Sequence, residues 1–139
     1  MPTFDDSTTT TAPVEEVWKL LYDPSRFPEW WEGIETVERH GRDGQGDITL
    51  YPRGYPDFPM PQQLRAGGDG RTLTISCLVS YLVFEWQLAA LEAGTRIAVH
   101  VEIPEQEAHR LDGQRAAVSA SLRSLAALAA ATDAPRARG

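Results

Sequence analysis

The feature that most constrains the fold of this chain is a long amphipathic segment near its C-terminal end, residues 107–131. Its larger apolar residues recur at spacings of seven, four, three and four positions, which places them on one face of an α-helix. They are Leu111, Val118, Leu122, Leu125 and Ala129. Arg110, Gln114 and Arg123 lie off this stripe and are expected to face solvent. A helix of this length would extend about 40 Å, so it requires a large apolar surface to pack against.

The middle of the chain supplies that surface, because it reads as a series of β-strands. Residues 73–81, 84–90 and 96–103 alternate apolar and polar side chains, which is typical of antiparallel strands with one face in a core. Shorter strand candidates come earlier, at residues 4–11, 34–40, 47–53 and 62–66. Residues 54–61 contain three prolines and predict a stiff loop with an aromatic tip.

Two short helices are predicted before these strands. Pro13 suits the first turn of the first helix, and Glu15 and Glu16 follow where the positive end of the helix dipole favours carboxylates. Asp23 and Pro24 are a typical N-cap and first residue for the second helix. The order of elements predicts an α+β fold, in which a curved antiparallel sheet of six to seven strands wraps around the C-terminal helix.

Length and charge limit the possible partners. The 139 residues fit a single domain, which we predict to span residues 1–132, followed by a disordered tail at 133–139. The net charge of −7 disfavours binding to nucleic acid. No apolar run has transmembrane length and no secretory leader is present, so the predicted location is cytoplasmic, without an integral membrane segment.

Disulfide and metal chemistry are also disfavoured. Cys77 is the only cysteine, so an internal disulfide is excluded. None of the three histidines shares metal-ligand spacing with a cysteine or carboxylate, and we predict neither a metal nor another cofactor. No nucleophile motif supports a Ser-His-Asp triad. The sequence is compatible with a monomer or a homodimer.

Two segments of the chain resemble a known superfamily. APVEEVWKLLYDPSRFPEWW, residues 12–31, is similar to the opening of the SRPBCC superfamily, and GTRIAVHVEI, residues 94–103, resembles its closing strand before the long helix. That superfamily unites START-like lipid-transfer domains, birch-pollen-allergen-type proteins and polyketide cyclase/dehydrase-type proteins. The resemblance covers roughly residues 4–131. It implies a helix-grip fold with a deep cavity between sheet and long helix, which holds an apolar or amphipathic ligand.

Within such a cavity we expect ten side chains to bind the ligand, most of them aromatic or apolar. They are Trp30, Trp31, Tyr51, Gln62, Cys77, Tyr81, Phe84, Trp86, Val118 and Leu122. Trp30 and Trp31 are expected at the cavity mouth, with one of the pair exposed. Strand alternation directs Gln62 and Tyr81 inward. Trp86 lies on a central strand and suits a core position and a pocket wall about equally.

The predicted function is binding of a small hydrophobic or amphipathic ligand, such as a lipid or a polyketide-like molecule. A first alternative is a polyketide cyclase, aromatase or dehydratase, which would require buried titratable groups; no catalytic residue is identified. A second alternative is a protein-interaction module with a closed core, in which the polar face of the sheet or the aromatic tip at residues 55–58 contacts a partner. An exposed apolar patch around Phe58 and Met60 would favour that alternative.

Overall fold

The computed structural model describes residues 2–39, 48–55 and 57–138, with the side chains of residues 133–138 outside the description. Its strands and α-helices are β1 (Thr3–Thr10), α1 (Val14–Tyr22), α2 (Phe27–Trp30), β2 (Ile34–Arg39), β3 (Ile48–Pro52), β4 (Met60–Ala66), β5 (Thr72–Cys77), β6 (Val83–Leu91), β7 (Gly94–Glu102) and α3 (Leu111–Arg138). Short 3₁₀-helices precede α2, at Pro24–Arg26, and α3, at Glu105–Arg110. This order confirms the predicted α+β helix-grip architecture.

The seven strands form one antiparallel sheet in the order β1-β7-β6-β5-β4-β3-β2. The first strand therefore joins the last, with Phe4 opposite Val101. α3 packs against β1, α1 and α2. The predicted stripe of α3 is confirmed, because Val118, Leu122 and Leu125 are buried in the core, and Ala129 with them. Burial of this stripe against the sheet and the short helices supplies most of the hydrophobic stabilisation of the helix.

The corner between α1 and α2 forms as the sequence predicts. The carboxylate of Asp23 accepts hydrogen bonds from the backbone N–H of Ser25 at 3.0 Å and from its hydroxyl at 2.7 Å. Pro24 follows as the first residue of the 3₁₀-helix. A side-chain acceptor at this position satisfies a backbone N–H that has no partner within the helix. The cap thus fixes the direction in which α2 leaves α1.

Three predicted boundaries are wrong. The long helix begins at Leu111, because the preceding residues adopt the tighter 3₁₀ geometry. β4 begins at Met60, so Pro61 lies inside a strand opposite Thr49, and its carbonyl accepts from the N–H of Leu78 at 2.9 Å. β5 ends at Cys77 rather than at residue 81, since a tight turn follows.

Other predicted boundaries cannot be compared with the structure. The predicted end of the second strand at residue 40, the start of the third at residue 47, and Pro56 of the predicted loop lie outside the described residues. α3 ends at Arg138. The disordered tail at 133–139 stays a prediction.

Gly94 is required where β7 begins. It has a φ of +121°, and a methyl group at this position would overlap the carbonyl oxygen of Thr10 on β1. Gly94→Ala is therefore expected to lower the free energy of unfolding by about 2–4 kcal/mol, through backbone strain and steric overlap together. Urea denaturation would measure this loss. Gly68→Ala is the control, because no atom lies within 4 Å of its added methyl group; similar losses in both variants would contradict the account.

Candidate functional site

A cleft of about 430 Å³ lies between the inner face of the sheet and the start of α3. Strands β3 to β6 form its floor, and the turn after α2 and the first residues of α3 form its walls. The described residues that line it are Trp31, Glu32, Gly33, Ile34, Leu50, Pro52, Tyr55, Phe58, Met60, Gln62, Cys77, Ser80, Leu82, Phe84, Arg110, Gln114 and Ala117. A mainly apolar lining with a few polar groups is typical of pockets for small molecules.

An aromatic cluster joins α2 to β6 and supports one wall of the cleft. It consists of Phe27, Trp30, Trp31, Phe84 and Trp86. Trp30 stacks on Trp31 with ring centroids 5.8 Å apart, and Trp86 meets Trp30 edge to face at 5.3 Å. Trp31 meets Phe84 edge to face at 5.5 Å. Trp31 and Phe84 line the cleft, whereas Trp30 and Trp86 lie in the core behind them.

The turn after α2 is held against α3 by a buried serine. The hydroxyl of Ser121 accepts from the backbone N–H of Glu32 at 2.9 Å and donates to the carbonyl of Ala117 at 2.7 Å. Gly33, with a φ of +93°, then directs the chain into β2. Because Ser121 is small, the turn approaches the helix closely, and Ala117 lines the cleft beside it.

Gln62 and Cys77 place a polar group and a thiol on neighbouring strands of the cleft floor. Gln62 on β4 lies directly opposite Cys77 on β5, and both side chains are buried. The backbone N–H of Ser80 lies 3.5 Å from the sulfur of Cys77. Burial raises the pKa of the Cys77 thiol, but hydrogen bonds from the side chain and backbone of Ser80, the backbone of Val79 and the amide of Gln62 outweigh burial, and the pKa falls below its ordinary value.

The lowered pKa of Cys77 predicts a measurable pH dependence. Since the thiolate is the reactive form, the rate of alkylation by iodoacetamide should rise with a midpoint below that of an ordinary cysteine. Ser80→Ala removes one donor and is expected to move the midpoint to higher pH. Because Cys77 is the only cysteine, the mass increase reports on it alone. Equal midpoints in the wild type and Ser80→Ala would contradict the role of the Ser80 hydroxyl.

The remaining polar groups lie at the rim of the cleft. Arg110 forms an ion pair with Glu107, with Nε and Oε1 2.9 Å apart, and Gln114 lies one turn further along the chain. On the other side, the exposed rings of Tyr55 and Phe58 flank the opening. The rim thus combines apolar rings from the β3–β4 loop with polar side chains from the end of the second 3₁₀-helix and the first turn of α3.

Four of the ten predicted ligand-binding residues line the cleft: Trp31, Gln62, Cys77 and Phe84. The other six do not line it: Trp30, Tyr51, Tyr81, Trp86, Val118 and Leu122. Contact of the ten residues with a ligand stays a prediction. The expectation that one of Trp30 and Trp31 is exposed is wrong, since both are buried.

A physical reason explains why each of these six residues lies outside the lining. Trp86, like Trp30, Val118 and Leu122, fills the core behind the lining. Tyr51 points to the opposite face of β3 from Leu50, and its hydroxyl contacts the carboxylate of Glu38. Tyr81 is 60% exposed, because β5 has already ended and the residue adopts a φ of +63° in the turn. The turn interrupts the two-residue alternation on which its inward prediction rested.

Sequence reasoning missed the contribution of α3 to the cleft. Arg110 and Gln114 were assigned to solvent, yet both line the cleft together with Ala117. Their spacing of four and three positions is a second helical stripe beside the leucine stripe. That spacing could have predicted the stripe, but the stripe mixes polar and apolar residues and so lacks a clear hydrophobic pattern. No local sequence pattern predicted that Ser80 and Leu82 line the cleft, because only the turn after β5 brings them there.

Outside the cleft, a histidine pairs with carboxylates on the outer face of the sheet. His100 Nδ1 lies 2.8 Å from Asp5 Oδ1, and Nε2 lies 3.4 Å from Glu102 Oε2. The hydrogen bond to Asp5 raises the pKa of His100 above its ordinary value. Among the described residues, no three His, Cys, Asp or Glu side chains come together as metal ligands. None of the described helices combines the length and hydrophobicity needed to span a membrane.

The family model described as polyketide cyclase / dehydrase and lipid transport matches residues 1–132. The chain belongs to this family. Its members include the polyketide cyclase/dehydrase-type proteins that the residues of the opening and closing segments resemble, so the family prediction is confirmed. No curated protein matches the sequence significantly.

Solved structures share the fold at low sequence identity. Protein Ms6760 from Mycobacterium smegmatis is 20% identical with a TM-score of 0.75, over 94% of this chain and 92% of that one. Protein NE0264 from Nitrosomonas europaea is 17% identical with a TM-score of 0.75, over 95% and 96%. The di-domain aromatase/cyclase StfQ of the steffimycin biosynthetic pathway is 13% identical with a TM-score of 0.73, over 91% of this chain and 50% of that one. At these identities the likeness concerns the fold alone.

Proposed function

We propose that this protein binds a small, mainly apolar, amphipathic molecule in the cleft between the sheet and the start of α3. The observation that carries the proposal is the cleft itself, whose volume of about 430 Å³ suits a molecule of drug or short-lipid size. Trp31, Phe84 and Leu50 offer apolar contact, which contributes about 25 cal/mol per Å² of surface removed from water. The family description, which includes lipid transport, is compatible with this role.

The polar lining residues are placed to orient the ligand. Arg110 and Gln114 lie at the rim, and Gln62 is buried in the floor. A mainly apolar ligand that carries a small number of polar groups would match this distribution. Polar contacts at defined positions select among ligands of similar hydrophobicity, whereas the apolar lining supplies the affinity.

The enzymatic alternative receives less support from the cleft. A cyclase, aromatase or dehydratase would need an acid and a base facing the ligand. Among the described lining residues, Cys77 is the one titratable side chain that is buried; Glu32, Tyr55 and Arg110 are exposed. The likeness to di-domain aromatase/cyclases supports the fold and not their reaction. Ligand binding is therefore the function that this cleft supports best.

The interaction alternative required a closed core beneath an exposed aromatic tip. Tyr55 and Phe58 are exposed, but both flank the opening of the cleft. Under the proposed function, these rings form the entrance that a ligand passes.

Native mass spectrometry of the purified protein, followed by titration with the neutral fluorescent probe N-phenyl-1-naphthylamine, tests the proposal. We expect either a co-purified small molecule in a one-to-one complex or saturable binding of one probe per chain. Competition by long-chain alcohols or polycyclic aromatic molecules should displace the probe. A ligand-free mass together with no probe binding would contradict a ligand-binding function.

A further inference from the structure

The rim of the cleft carries two side-chain hydrogen-bond donors where α3 begins. Arg110 is the last residue of the second 3₁₀-helix and Gln114 lies in the first turn of α3, and both line the cleft. Residues four positions apart along a helix are neighbours on one face. Ala117, three positions further, lines the cleft with a methyl group only. Arg110 and Gln114 therefore place two donors beside each other at the edge of a mainly apolar lining.

Most of the donor capacity of Arg110 is not used within the protein. A guanidinium group has five N–H donors. In the part of the chain that the structure describes, Nε of Arg110 donates to Oε1 of Glu107 at 2.9 Å. The N–H groups on Nη1 and Nη2 have no hydrogen bond to a described residue, and the side chain is 46% exposed. These groups can bind an acceptor that arrives with a ligand.

The charges around the rim favour an anionic acceptor. Arg110 is the only positively charged group among the described residues that line the cleft. The carboxylate of Glu32, which also lines it, has its own partner in Arg53, with Nη1 and Oε1 4.0 Å apart. A carboxylate on the ligand could accept two charge-assisted hydrogen bonds from Nη1 and Nη2, which are stronger than bonds between neutral groups. The same guanidinium would repel an ammonium group.

We propose that Arg110, with Gln114 as a second donor, recognises a single carboxylate at one end of the ligand, and this proposal rests on the proposed binding function. The ligand class is a monocarboxylic acid with an apolar chain or ring system. Its apolar part contacts the floor of the cleft, including Leu50 and Phe84, and its carboxylate stays at the exposed rim. Because the charge remains close to water, binding does not require the full desolvation of an anion.

Three compounds with the same ten-carbon chain test this recognition. Decanoate, decan-1-ol and decylamine differ in the charge of the end group, and each competes with N-phenyl-1-naphthylamine in a fluorescence titration near neutral pH. Arg110→Gln should weaken decanoate binding at least fivefold, which corresponds to about 1 kcal/mol, and change decan-1-ol binding less than twofold. Arg110→Lys keeps the charge without the planar fork of donors, so its decanoate affinity should lie between those of the wild type and Arg110→Gln.

Arg123→Gln is the matched control. It removes the same charge from α3, but Arg123 is exposed and does not line the cleft, so decanoate affinity should stay within twofold of the wild type. An equal loss in Arg123→Gln would overturn the inference, because net charge and not Arg110 would then determine anion binding. Gln114→Leu removes the neutral donor and should weaken decanoate relative to decan-1-ol; an unchanged ratio overturns the role of Gln114.

The outcomes separate this inference from the function on which it rests. Unchanged decanoate binding in Arg110→Gln, or failure of decanoate to displace a bound probe, overturns carboxylate recognition and leaves ligand binding standing. Tighter binding of decylamine than of decanoate by the wild type also overturns it, since the rim would then prefer a cation. Binding of none of the three compounds, together with no probe binding and a ligand-free mass, overturns the inference and the binding function together.

Discussion

Trp86→Ala is expected to lower the free energy of unfolding by about 3–5 kcal/mol, one of the largest losses that a single substitution produces in this chain. Trp86 is 1% exposed and contacts Trp30 edge to face, and its strand lies between β5 and β7. Removal of its ring leaves a cavity that the rigid sheet cannot close. For a domain with a total stability of about 5–15 kcal/mol, urea denaturation should show a much lower midpoint or an unfolded protein.

Trp86→Phe is the control for this prediction. The indole N–H of Trp86 is buried without a hydrogen-bond partner among the described residues, so phenylalanine removes an unfavourable group while it keeps an aromatic ring. We expect a loss below about 2 kcal/mol. A loss of less than about 1 kcal/mol in the alanine variant would contradict the assignment of Trp86 to the core and favour its assignment to the pocket wall.

Ala117→Phe is expected to abolish most ligand binding without unfolding the protein. Ala117 lines the cleft on α3, and a benzyl group there would occupy space that the ligand needs. Binding of N-phenyl-1-naphthylamine should weaken at least tenfold, which corresponds to about 1.4 kcal/mol. The free energy of unfolding should change by less than about 1 kcal/mol, because phenylalanine is only modestly worse than alanine in a helix. Fluorescence titration and urea denaturation measure the two effects.

Ala116→Phe is the matched control on the neighbouring position. Ala116 is exposed and does not line the cleft, so the same substitution carries the same helix-propensity cost without entering the binding space. Its probe affinity should stay within about twofold of the wild type, under 0.5 kcal/mol. Unchanged binding in Ala117→Phe would place the ligand elsewhere on the molecule.

Much of the fold could be predicted from local sequence patterns. The spacing of Val118, Leu122 and Leu125 identified the buried face of α3, because every residue of a helix advances by the same angle. Asp23 identified the corner before α2, since its carboxylate caps backbone groups only two residues away. Strand alternation likewise identified Gln62 as an inward residue. These signals are local, so a single sequence carries them.

The candidate site was less predictable, because a residue lines the cleft only if its side chain both points to the inner face and lies close enough to the cleft. Trp30 and Trp31 are adjacent and both buried, yet one packs in the core and the other lines the cleft. Alternation on β6 placed Phe84 and Trp86 on the same inner face, but only Phe84 lines the cleft. A period of two tells which face a side chain occupies and not what lies above that face.

By itself, the sequence determined the order of helices and strands, their buried faces and the family to which the chain belongs. The order of elements and their buried faces follow from backbone periodicity and short-range capping, which require no knowledge of distant residues. The family follows from the resemblance of residues 12–31 and 94–103 to its opening and closing segments. The tertiary structure alone decided that Tyr81 turns outward, that Arg110 and Ala117 join the cleft, and that Gln62 meets Cys77 there. A cleft is the space left between elements far apart in the chain, so its lining is set by how those elements pack against one another.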